Sequence, residues 1–140
     1  MTAKPIYTTT VTANGGREGR ARSEEGALDV ALVVPTEFGG PGGAGTNPEQ
    51  LFAAGYAACF LSALKHAARL EKVKLPQEPS VQACVGILAL DDGYGLTVAL
   101  TISLPGIDKP RATQLVDQAH QGCPYSRATR GNIDVTLTLA

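Results

Sequence analysis

The chain has 140 residues, enough for one domain that buries about two-thirds of the surface its unfolded form exposes, and a single domain over residues 1–140 is expected. With 12 Lys and Arg against 13 Asp and Glu, it carries neither the basic field that nucleic acid requires nor a polybasic tract for a membrane surface. Met1 to Tyr7 lacks the apolar run of a secretory signal, and the nearly apolar stretch Leu51 to Leu64 is short for a bilayer span, so a soluble, cytoplasmic protein is expected.

In the first third, Tyr7, Thr9, Val11 and Ala13 alternate with Thr8, Thr10 and Thr12, and Leu28, Val30 and Leu32 repeat the period of two. Turn signals at Asn14-Gly15-Gly16 and Glu25-Gly26 punctuate them, so two or three antiparallel strands are expected. Gly39 to Gly45 then reads as a loop, a flap beside whatever site the chain holds. A helix should start at Thr46-Asn47-Pro48-Glu49-Gln50, with Asn47 as cap, Pro48 in the first turn and Gln50 closing a capping box. It runs to about Val73, and its first half, Leu51 to Leu61, is apolar on every face, which in a soluble protein demands burial all round.

Val81 to Leu90 and Leu96 to Leu104 alternate about Asp91-Asp92-Gly93-Tyr94-Gly95, a hairpin whose inner face carries Leu96, Val98, Leu100, Ile102 and Leu104. A second helix is capped by Asp108, spaces Ala112, Leu115, Val116 and Ala119 at helical intervals and ends near Gly122. Ile133, Val135, Leu137 and Leu139 form a closing strand. The order lacks regular βαβ alternation, so the expected class is α+β, a mainly antiparallel sheet wrapped around a long buried helix. So apolar a helix is hard to bury in one small chain, and a homodimer pairing two such helices is the simplest remedy.

Three cysteines without a signal leave metal binding, redox chemistry or plain burial as explanations. Cys59, between Ala58 and Phe60, fits a small core residue as well as a reactive thiol, and Cys123 sits in the constrained turn Gly122-Cys123-Pro124. Cys84 lies on the strand face opposite Val81, Ala83 and Val85 without a charged neighbour, and reads as structural. A free thiol is only about three per cent ionised at neutral pH, so a reactive cysteine needs a cation nearby. Arg17, Arg20, Arg127 and Arg130 stand in suggestive places, although a loop arginine is ordinarily solvated.

Gly45-Thr46-Asn47-Pro48-Glu49-Gln50-Leu51-Phe52-Ala53-Ala54-Gly55-Tyr56-Ala57-Ala58-Cys59-Phe60 closely resembles the first signature of the organic hydroperoxide resistance proteins within the OsmC-like family. Cys123-Pro124-Tyr125-Ser126-Arg127-Ala128-Thr129-Arg130-Gly131-Asn132-Ile133 resembles the second, and these stretches favour that branch over the osmotically inducible one. The resemblance implies that Cys59 is the peroxidatic cysteine, Cys123 the resolving cysteine, Arg17 the arginine that contacts the thiolate and Glu49 the carboxylate that orients Arg17. It further implies an intertwined α+β homodimer with two active sites at the subunit interface, reduction of alkyl and fatty-acid hydroperoxides, electrons from dihydrolipoyl groups on lipoylated proteins, and no metal or tightly bound cofactor. Phe52, Tyr56 and Phe38 are candidate apolar walls for a hydrocarbon tail.

Rival readings are weaker. His120 and Cys123 have a His-x-x-Cys spacing to which Cys59 adds a third zinc ligand, but a second close pair is missing. An acyl-binding module explains the apolar helix and leaves the paired cysteines unexplained. The Gly-rich run lacks the Lys-Ser or Lys-Thr of a phosphate loop. Helix geometry adds a constraint: Glu49 and Cys59 are ten residues apart on one expected helix, about 15 Å along its axis, so the reading that unites them places Arg17 and Glu49 of one subunit beside Cys59 and Cys123 of the other.

Overall fold

Glycines close the first turn of the chain: Gly15 has a φ of 76°, and a Cβ on Gly19 would collide with the carbonyl of Asn14. This tight turn joins β1 (Val11–Asn14) to β2 (Arg20–Ser23), and β2 pairs in turn with β3 (Asp29–Ala31), all antiparallel, across the Glu25-Gly26 turn. The computed structural model describes residues 3–140; Met1 and Thr2, part of the stretch read for a signal and of the expected single domain, lie outside the described residues. The backbone forms two compact units, residues 1–51 and 52–140.

In the first unit the strands are shorter than the alternation suggests, and Tyr7, Thr9, Val11 and Ala13 are all exposed. Beyond β3 the Gly-rich loop is tied at its ends, where Val33 N donates to Thr46 O and Thr46 N to Ala31 O, both at 2.9 Å. Asn47 caps the coming helix as expected, its Oδ1 accepting from Gln50 N at 2.8 Å. The Gln50 side chain does not close the box; it accepts from Thr46 Oγ1 at 2.7 Å instead.

α1 (Pro48–Leu70) begins in the first unit and continues into the second. It stops three residues before Val73, in a Schellman motif: Val73 N donates to Ala68 O, Lys72 N to Arg69 O, and Lys72 takes the left-handed conformation at φ 55°. At 23 residues α1 is by length and composition alone long and apolar enough to cross a bilayer, although the apolar stretch Leu51 to Leu64 within it is shorter. Here one face of it lies in a core. Tyr56, Phe60, Leu64, Ala67 and Ala68 are buried against β5 and α2, while Ala54, Ala58 and Ser62 form an exposed row. Burial all round is therefore not reached in one chain, because a single three-stranded sheet and α2 cover one side.

That sheet has the order β4 (Ser80–Leu90), β5 (Gly93–Ser103), β6 (Val135–Leu139). The hairpin turns more tightly than expected, on Asp91-Asp92, with Leu90 opposite Gly93. Val98, Leu100, Ile102 and Leu104 point into the core as the alternation demanded. β6 joins β5 in parallel, a departure from pure antiparallel pairing that follows from its connection through two helices rather than a turn. The architecture is α+β, with a mainly antiparallel sheet system. α2 (Lys109–Gly122) starts at the Asp108 cap and buries Ala112, Leu115, Val116 and Ala119. A short α3 (Pro124–Thr129) follows at once, and Cys123 is the residue between them.

Candidate active site

The predicted site residues fall into two clusters, one in each unit. In the first, the Arg17 guanidinium makes two parallel bonds to the Glu49 carboxylate, Nη1 to Oε1 at 2.7 Å and Nη2 to Oε2 at 2.9 Å. Arg17 is placed by the 3₁₀ turn Gly16–Glu18 and Glu49 by the first turn of α1, where a carboxylate also suits the helix dipole. The exposed ring of Phe38 lies under the guanidinium, 5.3 Å from centroid to Cζ. The arginine holds the Glu49 carboxyl below the ordinary carboxylate range, chiefly through the hydrogen bonds and against a partial desolvation cost. Arg20, the other candidate in this turn, is exposed and spent on Asp29 at 2.6 Å.

In the second unit Cys59 and Cys123 come together as free thiols, near enough for Cys123 to influence the Cys59 sulfur. α1 presents Cys59 half-buried, and the α2–α3 elbow presents Cys123 fully buried. Burial pushes the Cys59 thiol above its ordinary pKa, Cys123 pushes it further by charge and by hydrogen bond, and the Tyr125 amide N–H pulls it back. None of these influences is a positive charge. Within its own unit Cys59 is therefore held as a thiol, the opposite of what a nucleophile needs. Arg130 is engaged elsewhere, donating to the carbonyl of His120 at 2.6 Å, and Arg127 is exposed.

Cys59 lines a groove of 790 Å³ between α1 and α2, with Ala63, Ala67, Leu70, Gln121 and Pro124 among its walls. Phe52 lines a separate apolar pocket of 340 Å³ with Pro124, Tyr125 and Ile133. Tyr56 is no pocket wall. It is wholly buried, and its hydroxyl bonds Ser126 at 2.8 Å and Thr129 at 3.2 Å. Among the described residues no three His, Cys, Asp or Glu side chains converge as metal ligands, and His120 turns its Nδ1 to Ser126. Cys84, expected to be structural, is exposed on the outer face of β4.

Sequence reasoning missed Tyr125, whose amide N–H pulls the Cys59 pKa down and whose hydroxyl lies 2.6 Å from where a Cβ on Gly55 would sit. The available signal was a glycine inside a helix, which marks a close approach. It also missed the buried hydroxyls of Ser126 and Thr129, which nothing in their local sequence announces.

The family model for OsmC-like protein matches residues 40–138. The chain is 61% identical to the organic hydroperoxide resistance protein of Xanthomonas axonopodis pv. citri, over 98% of this chain and 96% of that protein. Its fold superimposes on the crystal structure of an organic hydroperoxide resistance protein from Legionella pneumophila with TM-score 0.93 at 47% identity, covering 98% and 99% of the two chains. The corresponding protein OhrB of Bacillus subtilis gives 0.88 at 41% identity, with 97% and 100% covered. With full-length relatives at this identity and the same fold, the chain belongs to the OsmC-like family, among the organic hydroperoxide resistance proteins.

Proposed function

We propose that the protein is a cysteine-based peroxidase that reduces organic hydroperoxides, alkyl and fatty-acid peroxides among them, as part of a response to oxidative stress. The observation that carries this reading is the pair of neighbouring free thiols Cys59 and Cys123, in a chain whose relatives are named for organic hydroperoxide resistance. The Cys59 thiolate attacks the distal peroxide oxygen, the O–O bond breaks, and the alkoxide leaves with a proton as the alcohol. Cys59 is then a sulfenic acid. The Cys123 thiol displaces its hydroxyl, forming the Cys59–Cys123 disulfide and water. A dithiol, a dihydrolipoyl group on a lipoylated protein, reopens the disulfide by exchange and becomes a cyclic disulfide itself, so no metal or bound cofactor takes part.

Ionisation is the first difficulty, and burial makes it worse in the second unit. Lowering a thiol pKa from about 8.5 to about 6 raises its thiolate fraction only about thirtyfold, so a fast peroxidase needs transition-state stabilisation as well. Arg17 meets both needs: Glu49 takes two of its N–H donors and Phe38 one face, which leaves donors for a thiolate and a peroxide oxygen.

The protein acts as a homodimer in this reading, with Cys59 and Cys123 of one chain completed by Arg17 and Glu49 of the other. Two observations support it: the row Ala54, Ala58, Ser62 that α1 leaves uncovered, and the lack of any cation among the influences on Cys59. Steady-state turnover of a long-chain organic hydroperoxide tests the activity. Dihydrolipoamide should sustain many turnovers and a monothiol few; equal support from both donors, or no peroxide loss with either, contradicts it.

A further inference from the structure

A line of polar groups is buried beside the thiols, and the peroxidase chemistry does not use it. Tyr56, Ser126 and Thr129 are at most 3% exposed, yet each carries a hydroxyl into an otherwise apolar core. Such groups are costly unless every proton and lone pair is matched. Here they are linked in series. His120 Nδ1 lies 2.8 Å from Ser126 Oγ, Ser126 Oγ 2.8 Å from Tyr56 Oη, and Tyr56 Oη 3.2 Å from Thr129 Oγ1. The last hydroxyl donates to the Ser126 carbonyl at 3.1 Å.

Proton counting gives the chain a direction. Thr129 has one hydroxyl proton and spends it on Ser126 O, so its oxygen must accept from Tyr56. Tyr56 has then spent its own and must accept from Ser126. Ser126 in turn must accept from His120, which fixes the proton on Nδ1 of that ring.

The placement of this chain matters more than its cost. His120 is three residues before Cys123 on α2, and Ser126 is three residues after it on α3. Arg130 adds a second tie across the elbow by donating to His120 O. Tyr56 is one helical turn before Cys59 on α1, on the same face. One network therefore binds the helix that carries one thiol to both arms of the elbow that carries the other.

We infer that His120, Ser126, Tyr56 and Thr129 are positioning residues forming a proton-ordered clamp that holds Cys123 against Cys59, and that the clamp sets the rate of disulfide closure without touching the attack on peroxide. The inference rests on the peroxidase reading only in naming Cys123 the resolving thiol. Closure can be measured apart from peroxide with diamide, whose N=N bond accepts the two electrons and two protons that the thiols lose.

The test uses the full chain with Ser126→Ala, Tyr56→Phe, His120→Leu and His120→Asn, the last of which keeps an N–H donor near the Nδ1 position. Closure of the Cys59–Cys123 disulfide should slow about tenfold in the first three and return to within about twofold of wild type in His120→Asn. Single-turnover peroxide loss should stay within about twofold throughout. Unchanged closure in Tyr56→Phe, which removes one oxygen and keeps the ring, overturns the clamp even if Ser126→Ala fails to fold. So does a His120→Asn variant as slow as His120→Leu, or an equal fall in both steps. If wild type consumes no peroxide while the variants still close slowly with diamide, the peroxidase reading fails and the clamp stands.

Discussion

In the proposed reading the two units hold complementary halves of one chemistry. Residues 1–51 contain a cation already oriented by a carboxylate and an aromatic face, with no cysteine among them. Residues 52–140 contain Cys59 and Cys123, in surroundings that raise the pKa of Cys59. Neither cluster by itself supplies both a thiol and a cation beside it. A thiol in an apolar setting is poorly ionised without a cation nearby, so in this reading reactivity is a property of assembly rather than of either unit.

The largest effects should come from the thiols. Cys59→Ser is expected to abolish peroxide consumption, whereas Cys123→Ser should consume one equivalent, stop as a sulfenic acid that dimedone traps, and fail to cycle with a dithiol. Mass spectrometry after one equivalent of peroxide separates the two. Arg17→Ala comes next: loss of one preorganised donor should lower the second-order rate constant about a hundredfold, for about 3 kcal/mol of transition-state stabilisation. The thiolate absorbance near 240 nm should then titrate at higher pH in Arg17→Ala than in wild type; an unchanged midpoint would break the link between the two clusters.

A pH titration sharpens the first unit. The folded pKa of Glu49 lies below its ordinary value of 4.5, so the stability it contributes is present above that value and is lost as pH falls through the lower folded one. Its carboxyl carbon, followed by NMR, should have a midpoint below 4.5 that returns toward 4.5 in Arg17→Ala. A small effect is expected at the end of α1, where Lys72→Gly relieves a left-handed lysine and should raise stability by about 0.5–1 kcal/mol in denaturant unfolding. Cys84→Ser, on the exposed face of β4, should leave turnover unchanged.

Legibility in the sequence followed the range of the interactions. α2 was readable because Asp108 and the spacing of Ala112, Leu115, Val116 and Ala119 are local, and β5 because strict alternation survives into its burial. α3 was not, since Pro124–Thr129 is too short to show a period, and the parallel partner of β5 depends on a crossover that no local pattern encodes. Of the candidate site, Cys59, Cys123, Arg17 and Glu49 were all named, but through resemblance. Arg17 and Glu49 are 32 positions apart, and residue chemistry alone left them among several solvated charges. The tie between Tyr56 and Ser126 spans 70 positions and was invisible, because a tyrosine in an apolar helix reads as core until its hydroxyl finds a partner.

Subunit complementation tests the central claim, that each site is built from two chains, most directly. Cys59→Ser and Arg17→Ala proteins, each inactive or nearly so alone, are unfolded together, refolded and purified as heterodimers through distinct tags. A shared site places both lesions in one site and leaves the other intact, so peroxide turnover with dihydrolipoamide should recover to about half of wild type per heterodimer. Heterodimers that form and remain as inactive as the parents would mean that each site is completed within a single chain.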